Sequence, residues 1–256
     1  MTSLGFQASS LKAFLTIPED VLGTFRKLSD MGYRVVQLQW ISPDVPDEFV
    51  ADALRETRLT CVSTQDYYSV VSDNLGRFIQ MNKLWNSCLM CVSGIPREKM
   101  SVEGLLAFSV ELGQMADVLR ENGLILTFHP RVSDYTCIEG RPAVDWLMDG
   151  MPDDAQLTID FYSVVKAGLN PIKLLERYSG RVDMVHFKDS VILPDGRENL
   201  MPVGQGHIAW PEIFEACQKA GVKWGFAEQE SWQKDAFICA HESYEYITSH
   251  GILSPP

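Results

Sequence analysis

What this chain lacks narrows what it can be. Its 256 residues contain no apolar run approaching the ~18 needed to cross a bilayer, so no membrane span is expected. The opening "MTSLGFQASS" has neither a charged n-region nor a long apolar h-region, which predicts no signal peptide and a cytoplasmic location. Positive charge is scarce, with 22 Lys and Arg against 34 Asp and Glu and a formal net charge of −12. That disfavours nucleic acid as the main partner, because a phosphate backbone needs a basic surface. No G-x-G-x-x-G follows the first candidate strand, so the dinucleotide-binding form of an α/β fold is unsupported. There is no Pro/Gly/Ser-rich linker, no low-complexity tract and no disulfide framework. The six cysteines are scattered, and the C-x-x-C of Cys88 and Cys91 has no second pair or nearby histidine to complete a zinc set. Within "SCLMCVSGIP" both read as thiols of an apolar strand.

What remains is a chain that is 46% hydrophobic, enough for a sizeable core, arranged as short apolar runs alternating with amphipathic stretches. Strands are expected at 4–9, 33–40, 59–64, 88–93, 124–128, 155–160, 182–187 and 223–229. Helices fall between them, from Pro18 to a stop at Gly32, at 47–57, 70–86, from an N-cap at Ser101 to Asn122-Gly123, and at 141–149. Further helical pieces over 162–178 are split by Asn170-Pro171, another runs from Pro211 to Gly221, and one closes the chain at 235–249. Runs apolar on both faces suit a parallel sheet covered by helices. About eight βα units in this length predict a single-domain (β/α)8 TIM barrel over residues 1–256, with an open doubly wound sheet as the rival.

A barrel carries its chemistry at the C-terminal ends of its strands. After "LILTF" come His129, Arg131 and Asp134; "LTID" ends in Asp160. "RVDMVHFKDS" places His186 inside an apolar run and closes it with Lys188-Asp189, and "WGFAEQE" supplies Glu228 and Glu230. Four successive late strands thus bring carboxylate, carboxylate, imidazole and carboxylate to one rim. Such a set suits a divalent cation such as Mn, Mg, Co or Zn, which also makes clustered negative charge tolerable. Singly, each residue has a plainer role: Asp160 as a helix N-cap, His186 as a satisfied structural histidine, Lys188-Asp189 as a surface turn, and Glu228 as half of an ion pair.

Several segments together resemble the sugar phosphate isomerase/epimerase family of xylose-isomerase-like barrels. They are "LTIDFYSVVKAGLNPIKLLERYSGRVDMVHFKD", "MPVGQGHIAWPEIFEACQKAGVKWGFAEQE" and "SYEYITSHG". The resemblance covers most of the chain and is strongest from residue 124 onward. It implies a divalent metal held by Asp134, Asp160, His186 and Glu228, with Glu228 and Asp134 as the proton-transferring pair. His129, Arg131 and Lys188 then become candidate substrate contacts. The chain departs from the family pattern in "FHPRVSDY", where Arg131 replaces a second histidine and Asp134 replaces a glutamate, and at Gln37, where many relatives carry an acid.

The activity so implied is isomerisation or epimerisation of a sugar or polyol by proton abstraction next to a carbonyl, through a metal-stabilised enediolate. Alternatives are a metal-dependent dehydratase or lyase on a sugar, cyclitol or glycoside, and a non-catalytic sugar-binding or assembly barrel. A DNA endonuclease of the same superfamily would need more than the five histidines present, and a basic face. The partner expected is a small carbohydrate, not nucleic acid or membrane, and a homo-oligomer is compatible with the resemblance. Asp189 is a candidate acceptor for His186 or a loop-fixing group. The stretch from Ser190 to Gly206 is a candidate lid, and His207 after it reads as an ordinary surface residue.

Overall fold

The computed structural model describes residues 2–255. The eight barrel strands are β1 (Ser3–Gln7), β2 (Val35–Leu38), β3 (Thr60–Tyr67), β4 (Leu89–Ser93), β5 (Ile125–His129), β6 (Gln156–Asp160), β7 (Met184–Phe187) and β8 (Trp224–Ala227). Each pairs in parallel with its neighbours in chain order, and β8 closes on β1 through Ser3↔Trp224 to Phe6↔Ala227. This is the (β/α)8 barrel expected from the alternation of apolar runs and amphipathic helices.

Local signals explain most helix limits. Pro18–Met31 begins on proline and ends at Gly32, whose φ of 107° suits the left-handed stop. Val102–Glu121 is capped by Ser101 Oγ, which accepts from Gly104 N at 3.1 Å. The helix expected over 70–86 is two, Tyr68–Asp73 and Leu75–Leu84. Between them Asn74 leaves the helical region, and its amide donates to Val70 O at 3.0 Å. Among the described residues, no helix is long and apolar enough to cross a membrane.

The strand pleat sorts side chains by alternation, and this explains the histidine inside "MVHF". Val185 and Phe187 pack outward with the helices in the main core, while Met184 joins the barrel interior. His186 and Lys188 follow Met184 on that inner face. The interior is plugged by Val35, Val62, Leu89, Cys91, Met184 and Phe226. Gly5 is what admits the Phe226 ring, since a Cβ there would lie 2.5 Å from Cε1. Cys91 belongs to this plug, and burial pushes its thiol up to about 12, as suits an inert core cysteine.

Candidate active site

The polar residues above the plug fall into two halves. The charged half stands on β5 to β8 and their C-terminal extensions. Lys188 is the hub: its Nζ lies 2.9 Å from Glu230 Oε1, 3.1 Å from Glu228 Oε2 and 3.4 Å from Asp160 Oδ2. Burial alone would lower the Lys188 pKa, but these three carboxylates outweigh it and hold the ammonium charged well above its ordinary range. Burial likewise opposes ionisation of Glu228, and the nearby Lys188 and His186 overcome it, keeping the carboxyl below the usual range. Glu230 moves the other way, raised first by burial and then by the Glu228 charge. Asp160 serves both as cap and as site residue: its oxygens accept from Tyr162 N at 3.0 Å and Ser163 Oγ at 2.7 Å while it faces Lys188.

The two imidazoles are stacked obliquely, with centroids 4.8 Å apart. His129 sits near Ser93 Oγ, at 3.2 Å from Nδ1, and its Nε2 has no partner. Its pKa is lowered to about 4 by burial and then by His186, so it is neutral at physiological pH. His186 Nδ1 faces Glu228 Oε2 at 3.0 Å, yet neither atom has a hydrogen-bond partner.

The second half is neutral and stands on β1 to β3. Gln7 Nε2 donates to Gln37 Oε1 at 2.9 Å and Gln39 Oε1 at 3.3 Å; Gln65 Nε2 donates to Gln39 Oε1 at 3.1 Å. Gln37 Nε2 donates to Gln65 Oε1 and Ser63 Oγ, both at 3.2 Å. These bonds orient the Gln37 amide, so its Oε1 can only accept from His186 Nε2, 2.7 Å away. That contact assigns the hydrogen to His186 Nε2 and leaves Nδ1 facing Glu228 Oε2. Gln39 and Gln65 also line a cavity of about 430 Å³ beside the rim, together with Trp40, Asp66, Arg77 and Trp85.

The structure thus brings together Asp160, His186, Lys188 and Glu228, with His129 beside them. It does not bring in Asp134, and that expectation is corrected. The Asp134 Oδ2 accepts from Arg131 N at 2.8 Å and Ile95 N at 3.2 Å, and Oδ1 accepts from Ser133 Oγ at 3.0 Å. Its carboxylate ties two loops together, and it gives the buried Ile95 N–H its acceptor. The barrel-facing positions of β5 are instead Thr127 and His129, and Thr127 Oγ1 is bonded to Thr158 Oγ1 at 2.6 Å. Arg131 also stands apart from the cluster. Its guanidinium covers Gly94, where φ is +83° and a Cβ would lie 2.4 Å from Nε, and it lies 5.7 Å from the Tyr67 ring.

Asp189 turns out to fix a loop, accepting from Gly204 N and Gly206 N at 3.0 Å and Trp210 Nε1 at 2.7 Å, while Gln37 is the partner of His186. The candidate lid contains an antiparallel hairpin, Asp189–Ile192 with Glu198–Met201. Glu198 anchors it to Ser190 Oγ at 2.8 Å and Tyr162 Oη at 3.0 Å. His207 is exposed, with Nδ1 2.6 Å from Ser190 O. The glutamine network was not anticipated as a unit. Its one sequence signal is the period-two spacing of Gln37 and Gln39 on a strand.

A divalent ion held by Asp134, Asp160, His186 and Glu228 does not fit these residues. Asp134 is committed elsewhere, and the Lys188 ammonium contacts the oxygens of Asp160 and Glu228 that such an ion would bridge. Among the described residues, no three His, Cys, Asp or Glu side chains are arranged to hold a metal.

No family model matches the chain. It is 27% identical over 154 residues to an inosose dehydratase of Lacticaseibacillus casei, covering 53% of this chain and 51% of the relative. The chain spans about half the length of the curated relatives it matches. Among solved structures, a sugar phosphate isomerase/epimerase from Parabacteroides distasonis aligns at a TM-score of 0.82 and 16% identity, covering 99% of this chain and 100% of that one. The IolI protein with a bound zinc aligns at 0.75 and 13% identity, covering 97% and 98%. The fold is shared with these barrels.

Proposed function

We propose that this chain is an enzyme of carbohydrate or polyol carbonyl chemistry, an isomerase or epimerase that moves a proton next to a carbonyl. The observation that carries the reading is the placement of Glu228: a buried carboxylate at the C-terminal end of β8, its Oε2 held between His186 Nδ1 at 3.0 Å and Lys188 Nζ at 3.1 Å. Its lowered pKa keeps it ionised at neutral pH, and its place at the strand end lets the carboxylate face a substrate C–H. His186 positions that carboxylate and is itself positioned by Gln37.

In the forward step the substrate C–H bond breaks, its proton passes to Glu228, and the carbonyl π pair moves onto oxygen. Return of the proton to the neighbouring carbon isomerises the sugar; return to the opposite face epimerises it. His129 Nε2, unpartnered beside this cluster, is the proposed contact for a substrate oxygen. The amide half offers neutral donors and acceptors matched to hydroxyl groups.

A second reading, loss of a β-hydroxyl from the same intermediate, is favoured by the inosose dehydratase relatives. Both readings share their first step and one test. A panel of ketoses and inososes is incubated in deuterium oxide, with and without Mn. Deuterium should enter next to the carbonyl of at least one compound, and dehydration products separate the second reading. Glu228→Gln should slow exchange by about 10²–10⁴-fold. Full exchange in that variant, or none in any compound with the native protein, removes the proposal.

A further inference from the structure

We propose that the resident cation of this site is the Lys188 ammonium, standing where a divalent ion would otherwise bridge Asp160 and Glu228. Its catalytic consequence rests on the proton-transfer reading above; the cation assignment itself does not.

Three carboxylates face the ammonium at 2.9, 3.1 and 3.4 Å, and Nζ donates a hydrogen bond to one of them, Glu230 Oε1. They arrive from β6, from the end of β8, and from the segment just beyond it. Lys188 follows Met184 and His186 on the inward face, so the pleat of the strand delivers the side chain to the barrel centre. There it is 7% exposed, with Nζ 5.5 Å from the Tyr162 ring.

A divalent ion held by the same carboxylates would compete with Nζ for their oxygens and stand close to its like charge. The fourth ligand expected, Asp134, is not aimed at this cluster. β5 offers only Thr127 and His129 to the interior, and Asp134 is bonded to two backbone N–H groups and a hydroxyl.

Beside Glu228, Nζ–H is the donor available to the substrate carbonyl oxygen. As Glu228 takes the carbon-bound proton, the pair released onto oxygen is stabilised by hydrogen bonding to the ammonium, which keeps its own protons. No redox step and no second reactant are involved.

The test begins with the native protein, produced in medium supplemented with Mn, Co and Zn and then desalted. Fewer than about 0.1 divalent ions per chain are expected, and EDTA or millimolar Mn, Co or Zn should move the thermal midpoint by under about 1 °C. Lys188→Ala vacates the position and leaves Asp160, His186 and Glu228, so Mn or Zn should raise its midpoint by several degrees. Lys188→Gln serves in its place if the alanine variant does not fold. A stoichiometric metal in the native protein, or a midpoint lowered by EDTA, overturns the assignment. A folded Lys188→Ala that stays indifferent to metal overturns it too. Should no sugar or inosose exchange while these metal results hold, the reading of the activity fails alone and the cation assignment stands.

Discussion

The two halves of the barrel mouth are buried alike and behave differently. Gln7, Gln37, Gln39 and Gln65 on β1 to β3 are nearly sealed from solvent, as are Asp160, His186, Lys188 and Glu228 on β6 to β8. The amides satisfy one another through hydrogen bonds of 2.9–3.3 Å, which is all that burial asks of neutral groups. The charged half needs both counter-charge and hydrogen bonds, and it retains unpartnered atoms at His129 Nε2, His186 Nδ1 and Glu228 Oε2. Reactivity is expected where satisfaction is incomplete, while the satisfied half holds the frame. The seam is the 2.7 Å contact between Gln37 and His186, through which the neutral half orients the charged one.

The contrast can be broken most severely at Lys188. Lys188→Met leaves three facing carboxylates without their cation, and should cost about 3–5 kcal/mol in urea unfolding at pH 7. A loss below ~1 kcal/mol would mean that solvent screens the cluster.

Acidification probes the same half through His129. Folded, its imidazole titrates at about 4, lowered by burial and then by His186. Unfolded, it takes up a proton near its usual ~6.5. Stability from this group is whole above the unfolded value and drains as pH falls toward the folded one, by about 2 kcal/mol between pH 7 and 5. His129→Gln should remove that slope, and an identical slope in both proteins would show that other groups carry it.

Across the seam the effect should be milder. Gln37→Leu strands His186 Nε2 but leaves Gln7 and Gln65 bonded to Gln39, so about 1.5 kcal/mol is expected, together with slower exchange from a misoriented His186. Unchanged exchange would detach the two halves from one another. The smallest effect is expected outside both. Asp134→Asn keeps most of the loop bonds, so it should cost about 1 kcal/mol and leave the exchange rate within ~3-fold of the parent. A collapse of activity there would restore Asp134 to the site.

How far each feature could be read in advance follows from how local its cause is. Helix ends at Gly32 and Ser101 depend on a few adjacent residues, and they fall where expected. Asp160, His186, Lys188 and Glu228 were legible because each is a polar residue on or just past an apolar strand, and the pleat fixes its direction. Asp134 was misplaced because it lies five residues beyond the last residue of β5, His129, in a 3₁₀ turn, where spacing no longer fixes direction. Gln37 stood out only where an acid is usual, and Gln7, Gln39 and Gln65 not at all, because an uncharged amide taken alone carries no signal; their network exists only once β1, β2 and β3 are side by side.

The chain's own alternation of apolar runs, caps and stops was sufficient to determine a barrel with a polar rim, because pleat and helix period act over a few residues at a time. Which rim residues share a cation, which are spent on capping loops, and that Lys188 stands between Asp160 and Glu228 were decided only by closure of the barrel. The contacts around Lys188 and His186 join residues 28 to 149 positions apart, and charges buried together must neutralise one another whatever their order in the chain.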